Sequence, residues 1–112
     1  MVDIALSGGL FLYYRHPTFE LLCTAGEASS VDLSFDEAQA LFASIASACG
    51  RLEIVQVKLD RLSWTTDARL NPKHPDRVIV KFSGALGWGN IGLNRRHLLS
   101  ACQEFADAFG TN

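Results

Sequence analysis

One stretch constrains this chain more than any other. Ser34-Phe35-Asp36-Glu37 has the spacing of a capping box. In that motif the serine oxygen accepts the Glu37 backbone N–H, and the Glu37 side chain reaches back to the serine N–H. Asp36 and Glu37 also suit the positive end of a helix dipole. Behind them Phe35, Ala38, Leu41, Phe42, Ile45, Ala46 and Cys49 recur on one helical face, and Gly50 offers a left-handed stop. The spacing predicts a helix over 34–49 with one apolar side to bury. A second stretch repeats the plan. Asn94 stands where Ser34 does, Ala106 and Ala108 answer to Ala46 and Ala48, and Gly110 answers to Gly50. Leu98, Ala101, Cys102, Phe105, Ala108 and Phe109 supply the apolar side of that helix.

What precedes each helix reads as strand. Val2 to Ser7 alternates apolar with small or polar residues, and Gly8-Gly9 marks a bulge or tight turn. Leu10 to Arg15 resumes, His16-Pro17-Thr18 turns, and Phe19 to Ala25 returns. Gly26 to Ser30 is a second turn and Val31 to Leu33 a short strand. In the other half Arg51 to Trp64 reads as one long strand whose phase shifts: Leu52 and Ile54 share one face, Val55, Val57 and Leu59 the other. Thr65 to Asp76 is a loop, marked by Asn71-Pro72 and His74-Pro75. Arg77 to Ser83 is a strand with Val78, Val80 and Phe82 on one face and Arg77 and Lys81 on the other. Four glycines and Trp88 fill Gly84 to Gly92.

These elements predict an α+β fold, an antiparallel sheet with two helices packed on one face. Residues 1–112 form a single domain on this reading, with β-β-β-α units over 1–50 and 51–112 if the repeat is real. The composition, 48% hydrophobic and 20% charged over 112 residues, is that of an ordinary globular domain. The free face of the sheet must then meet solvent, a ligand or a second subunit.

Several classes of function find no support. There is no apolar run of about 18 residues, so no membrane span is expected. The start, Met1-Val2-Asp3-Ile4, lacks a basic segment, so a secretory signal is not expected, and a cytoplasmic setting is the default. Cys23, Cys49 and Cys102 are odd in number and widely spaced, with no C-x-x-C pair. They read as small buried hydrophobes, and neither a metal nor a cofactor is expected. Gly87-Trp88-Gly89-Asn90-Ile91-Gly92 matches G-x-G-x-x-G, but a dinucleotide site also needs a following parallel strand and an acid about 20 residues on. His16, His74 and His97 stand far apart, and no H-E-x-x-H, G-x-S-x-G or P-loop occurs. The reading therefore leans away from an enzyme. A site assembled only in space, for instance His97 with Cys102 and an acid, is the third alternative, although residues five apart on a helix point to different faces.

Charge is divided along the chain. Residues 1–50 carry one base and six acids, and residues 51–97 carry nine bases and four acids. A chain split this way suits an anionic partner, or pairing with itself, acid to base. Two functional readings follow. The first is a small non-catalytic protein-interaction module, a homodimer that self-associates through its sheet. Leu10 to Tyr14 is a longer apolar run than one strand face needs, which makes Phe11, Tyr13 and Tyr14 the interface candidates. The second is a single-stranded nucleic-acid (or other anion) binder using the 51–97 surface. Lys58, Arg61, Arg69, Lys73, Arg77 and Lys81 lie near Trp64 and Trp88, and single-strand binders combine basic grooves with aromatic platforms. Arg95 and Arg96 open the last helix, where the dipole prefers acids, and are candidates for phosphate contact. The overall charge of −2 weighs against a general nucleic-acid binder. Repeated sheet-plus-helix units resemble, in outline, the Whirly class of single-strand binders; no motif carries the likeness.

Overall fold

The computed structural model describes residues 3–24 and 28–110. Val2, Ala25, Gly26 and Glu27, which belong to predicted strand and turn segments, lie outside the described residues. The chain runs β1 (Asp3–Ser7), β2 (Leu10–Arg15), β3 (Thr18–Cys23), β4 (Ser29–Leu33), α1 (Phe35–Arg51), then β5 (Ile54–Lys58), β6 (Leu62–Asp67), β7 (Arg77–Gly84), β8 (Gly89–Asn94) and α2 (Arg95–Phe109). All strand pairing is antiparallel between sequence neighbours. It gives two four-stranded sheets, A (β1-β2-β3-β4) and B (β5-β6-β7-β8). The α+β class with helices on an antiparallel framework holds, and each half contributes its own sheet of four strands.

Two features explain the fourth strand in each half. Gly8 and Gly9 both take positive φ and form the tight turn, one of the two expected options, so Asp3–Ser7 and Leu10–Arg15 are the two strands of a hairpin. The expected long strand over 51–64 is broken twice. Helix α1 continues through Gly50 and Arg51 and ends at Leu52, whose φ of 56° makes it the left-handed cap. Leu59, Asp60 and Arg61 then turn the chain, with the Leu59 N–H donating to the Leu62 carbonyl. The phase shift at Leu52–Val55 marks the first of these breaks, where α1 ends and β5 begins. The expected loop is also shorter, because β6 runs on to Asp67.

Both N-cap predictions hold, whereas the expected stop at Gly50 falls to Leu52. Ser34 and Glu37 form the reciprocal capping box, and the Asn94 side chain accepts the His97 N–H. Gly110, with φ 34°, caps α2. The two helices lie against each other and bridge the sheets: α1 packs on β3, β4, β5 and β6, and α2 on β1 and β8. Phe42 of α1 and Phe105 of α2 stack at 4.6 Å. Gly8, at the β1–β2 turn, sits against Ile91 and Leu93, where the sheets meet. One apolar core therefore fills the space between the helices and the inner faces of both sheets. It includes Ile4, Leu12, Leu21, Leu41, Ile45, Trp64, Val80 and Leu98. The outer faces of both sheets carry no helix.

Candidate nucleic-acid interface

Strand alternation decides what each outer face displays. In β7 the buried residues are Val78, Val80 and Phe82, so Arg77, Ile79, Lys81 and Ser83 point outward. In β6 Leu62, Trp64 and Thr66 are buried, so Ser63, Thr65 and Asp67 point outward. The register then places Gln56, Thr65, Lys81 and Asn90 in one row across the four strands, with Lys58, Ser63 and Ser83 in the next row. Ile54, Asp67, Ile79 and Gly92 form a third row. The outer face of sheet B is thus polar and basic around two isoleucines. Among the described residues Lys58, Lys73, Arg77 and Lys81 form no ion pair.

The 68–76 loop extends this face at one end. It is pinned by Arg95, whose N–H donates to the Asp76 carbonyl at 2.6 Å. The Arg95 guanidinium donates to the carbonyls of Ala68 (3.1 Å) and Pro75 (3.3 Å). Asn71 orders the loop from within, accepting the Lys73 N–H on its side chain and the His74 N–H on its carbonyl. Lys73, His74 and Arg77 consequently line one open groove with Gly92 and Asn94. The Arg77 guanidinium crosses Gly92 so closely that a Cβ there would sit 2.9 Å from Nε. Arg69 lies beside it in a bidentate pair with Asp67, at 3.0 and 2.9 Å. The guanidinium holds the Asp67 carboxyl below the usual carboxylate range, so the acid on this face stays ionised and matched.

The other end carries Trp88, at the tip of the β7–β8 hairpin and 81% exposed. It borders an open cleft between the sheets, with Cys23, Ser29, Phe82, Leu86 and Ile91. Ser29 donates to the Leu86 carbonyl at 2.7 Å, which ties the base of the hairpin to sheet A. The glycine-rich segment has a packing explanation rather than a phosphate-binding one. A Cβ on Gly89 would lie 2.2 Å from the Phe82 ring, so glycine is what lets β8 close on that ring.

The other predicted site residues are dispersed. Trp64 is 0% exposed, stacks on Phe82 at 5.8 Å and donates its indole N–H to Thr66. It is a core residue, which corrects its assignment as a platform. Arg95 is the loop clamp described above, so it is not placed for phosphate contact. Arg96 is 86% exposed at its side chain and, among the described residues, forms an ion pair only with Asp76, at 4.0 Å. Arg61 sits in the β5–β6 turn, beside Asp32, Glu37 and Asp60, and faces acids of the first half. Phe11 and Tyr13 stack on the outer face of sheet A, with centroids 6.2 Å apart. Tyr14 points the other way, against Phe19 (4.9 Å) and Phe109 (5.1 Å). His97 and Cys102 do not meet as a dyad. His97 Nε2 lies 3.1 Å from the Ala5 carbonyl, and the Cys102 thiol donates to the Phe42 carbonyl at 3.7 Å. Burial pushes that thiol up to about 12, so it stays protonated. Among the described residues no cluster of His, Cys, Asp and Glu could hold a metal, and no helix is long and apolar enough to cross a membrane.

The residues missed from the sequence are Gln56, Ser63, Thr65 and Asn90, the polar partners between the bases. Their signal was alternation, hidden because the β5–β6 hairpin read as one strand ending at Trp64 and because β8 begins inside the glycine-rich segment.

Comparison with known proteins adds one finding. No family model and no curated protein matches the sequence. A chain from the solved structure of a guide-RNA-binding protein complex bound to a guide RNA has the same fold, with a TM-score of 0.53. It is 17% identical, and the match covers 96% of this chain and 88% of that one.

Proposed function

We propose that this chain binds single-stranded nucleic acid along the outer face of sheet B, with RNA as the first ligand to try. The observation that carries the reading is that face itself. Lys58, Arg77 and Lys81 lie on an open sheet, with no acid paired to them among the described residues, between the Lys73–His74 groove at one end and the exposed Trp88 at the other. The run from Arg77 to Ser83 spans about 20 Å by strand rise, room for a few nucleotides. Phosphates would lie on the lysines and on Arg77, base edges would meet Gln56, Thr65 and Asn90, and Trp88 would stack a base. The structural neighbour's complex with a guide RNA supports the choice of ligand class.

Fluorescence anisotropy of a labelled 12-nucleotide RNA tests this. Three phosphate contacts predict a slope of log K against log salt of about −2. The Arg77→Glu/Lys81→Glu variant, shown folded by circular dichroism, should lose more than about tenfold in affinity at low salt and flatten the slope. Absence of wild-type binding at low salt, or a variant that binds as well as wild type, contradicts the proposal.

A further inference from the structure

The outer face of sheet A is the chemical complement of the face just described. Its first row is Asp3, Tyr13, Glu20 and Asp32, and its second is Ala5, Phe11, Leu22 and Ser30. Phe11, Tyr13 and Leu22 are half-buried and contiguous, so an apolar patch lies beside a single acidic row. Glu20 and Asp32 stand directly opposite each other on β3 and β4. Like charges directly opposed on neighbouring strands destabilise a sheet. Glu20 reaches Arg15 at 3.6 Å, an exposed pair of the kind that contributes little, and Asp32 shares an open groove with Arg61. The arrangement is improved by a cation arriving from outside. Sheet B offers the opposite charge: Lys58, Arg77 and Lys81 project from it, beside a row in which Asp67, matched by Arg69, separates Ile54 from Ile79.

We infer that a second copy of this chain docks its acidic sheet A face on the basic sheet B face of the first, so that self-association and nucleic acid compete for one surface. The competition rests on the function proposed above; the docking does not. Charge complementarity selects the occupant, because each copy carries both signs on two separate open faces. The contact is heterologous, so it extends head to tail or closes into a ring instead of stopping at a symmetric pair. A face of four strands, each five or six residues long, measures only about 19 by 17 Å. That places the contact among weak, salt-sensitive interfaces, well below the area of an obligate dimer.

Sedimentation velocity without nucleic acid separates the possibilities. At about 100 µM and low salt, wild type should sediment above one chain mass and return to one chain in about 0.5 M salt. Glu20→Lys/Asp32→Lys makes both faces basic, and Arg77→Glu/Lys81→Glu makes both acidic. Each variant alone should sediment as a single chain. An equimolar mixture of the two should associate again, because each then offers the face the other lacks. Adding the 12-nucleotide RNA to associated wild type should release single chains bound to RNA.

A wild type that stays monomeric in low salt overturns the inference, as does association that survives either reversal or a mixture that fails to reassociate. RNA binding with no self-association overturns this inference and leaves the proposed function standing. Self-association with no RNA binding does the reverse.

Discussion

The two halves share one element order and present opposite surfaces. Each places four antiparallel strands before a capped helix, and each turns every second strand residue toward the common core. Sheet A turns Asp3, Glu20 and Asp32 outward beside Phe11 and Tyr13, whereas sheet B turns Lys58, Arg77 and Lys81 outward beside Ile79 and the Asp67–Arg69 pair. Inward positions are constrained by packing and hardly differ in kind. Outward positions carry no folding constraint of that sort, so they are where the halves acquire different chemistry.

The largest contrast lies between the two tryptophans of the second half. Trp64 is enclosed in the core and Trp88 is 81% exposed. Trp64→Ala should cost about 3–5 kcal/mol of stability in a urea titration, the range for a large core aromatic. Trp88→Ala should leave stability within about 0.5 kcal/mol of wild type and instead weaken RNA binding by about 1–3 kcal/mol, the worth of one stacked base. A Trp88→Ala protein with unchanged affinity breaks the division between core and platform.

The helix ends provide a smaller test of how alike the halves are. Gly50 and Gly110 match in sequence but not in structure. Gly50 lies inside α1 with open space where a Cβ would go, and Gly110 is the left-handed cap of α2. Gly50→Ala should therefore stabilise by about 0.5–1 kcal/mol. Gly110→Ala should destabilise by about 1 kcal/mol, because alanine resists the left-handed region. Both are read as shifts in thermal midpoint, and shifts of the same sign would mean the two ends are equivalent after all.

The smallest effect concerns acid. Glu37 caps α1, and its hydrogen bond from the Ser34 N–H outweighs burial to hold the carboxyl below its usual value. A depressed folded pKa gives stability that is full above the ordinary carboxylate range and is lost as pH falls through the folded value. The corresponding position in α2 is His97, and that helix has no acid in its first turn. Glu37→Gln should lower stability at neutral pH and flatten the decline toward acid, whereas changes at the α2 cap should leave that slope alone. Equal slopes for wild type and Glu37→Gln would remove Glu37 from the acid response.

Much of this was legible in the residues because the signals were local. The capping boundaries follow from Ser34, Glu37 and Asn94, and the outward pair Arg77 and Lys81 follows from strict alternation in β7. What could not be read depended on contacts distant in sequence. Leu52 ends α1 in a conformation that leucine disfavours, and the chain tolerates it two residues before β5 must start. Nothing local to Arg95 announces that it donates to Ala68 and Pro75, so its break with the dipole preference looked functional when it is structural. The two tryptophans differ in a way the sequence did hint at, since Trp64 lies among strand-forming residues and Trp88 between two glycines, but only the fold shows that the first is enclosed and the second open.

Amide chemical-shift mapping with the 12-nucleotide RNA tests the account most directly, since both outer faces report in the same spectrum. The account predicts shifts at Gln56, Thr65, Ile79, Lys81 and Asn90, with Phe11, Glu20, Leu22 and Asp32 moving only where displaced copies leave sheet A. Shifts at sheet A that persist in high dilution, with sheet B silent, would contradict it.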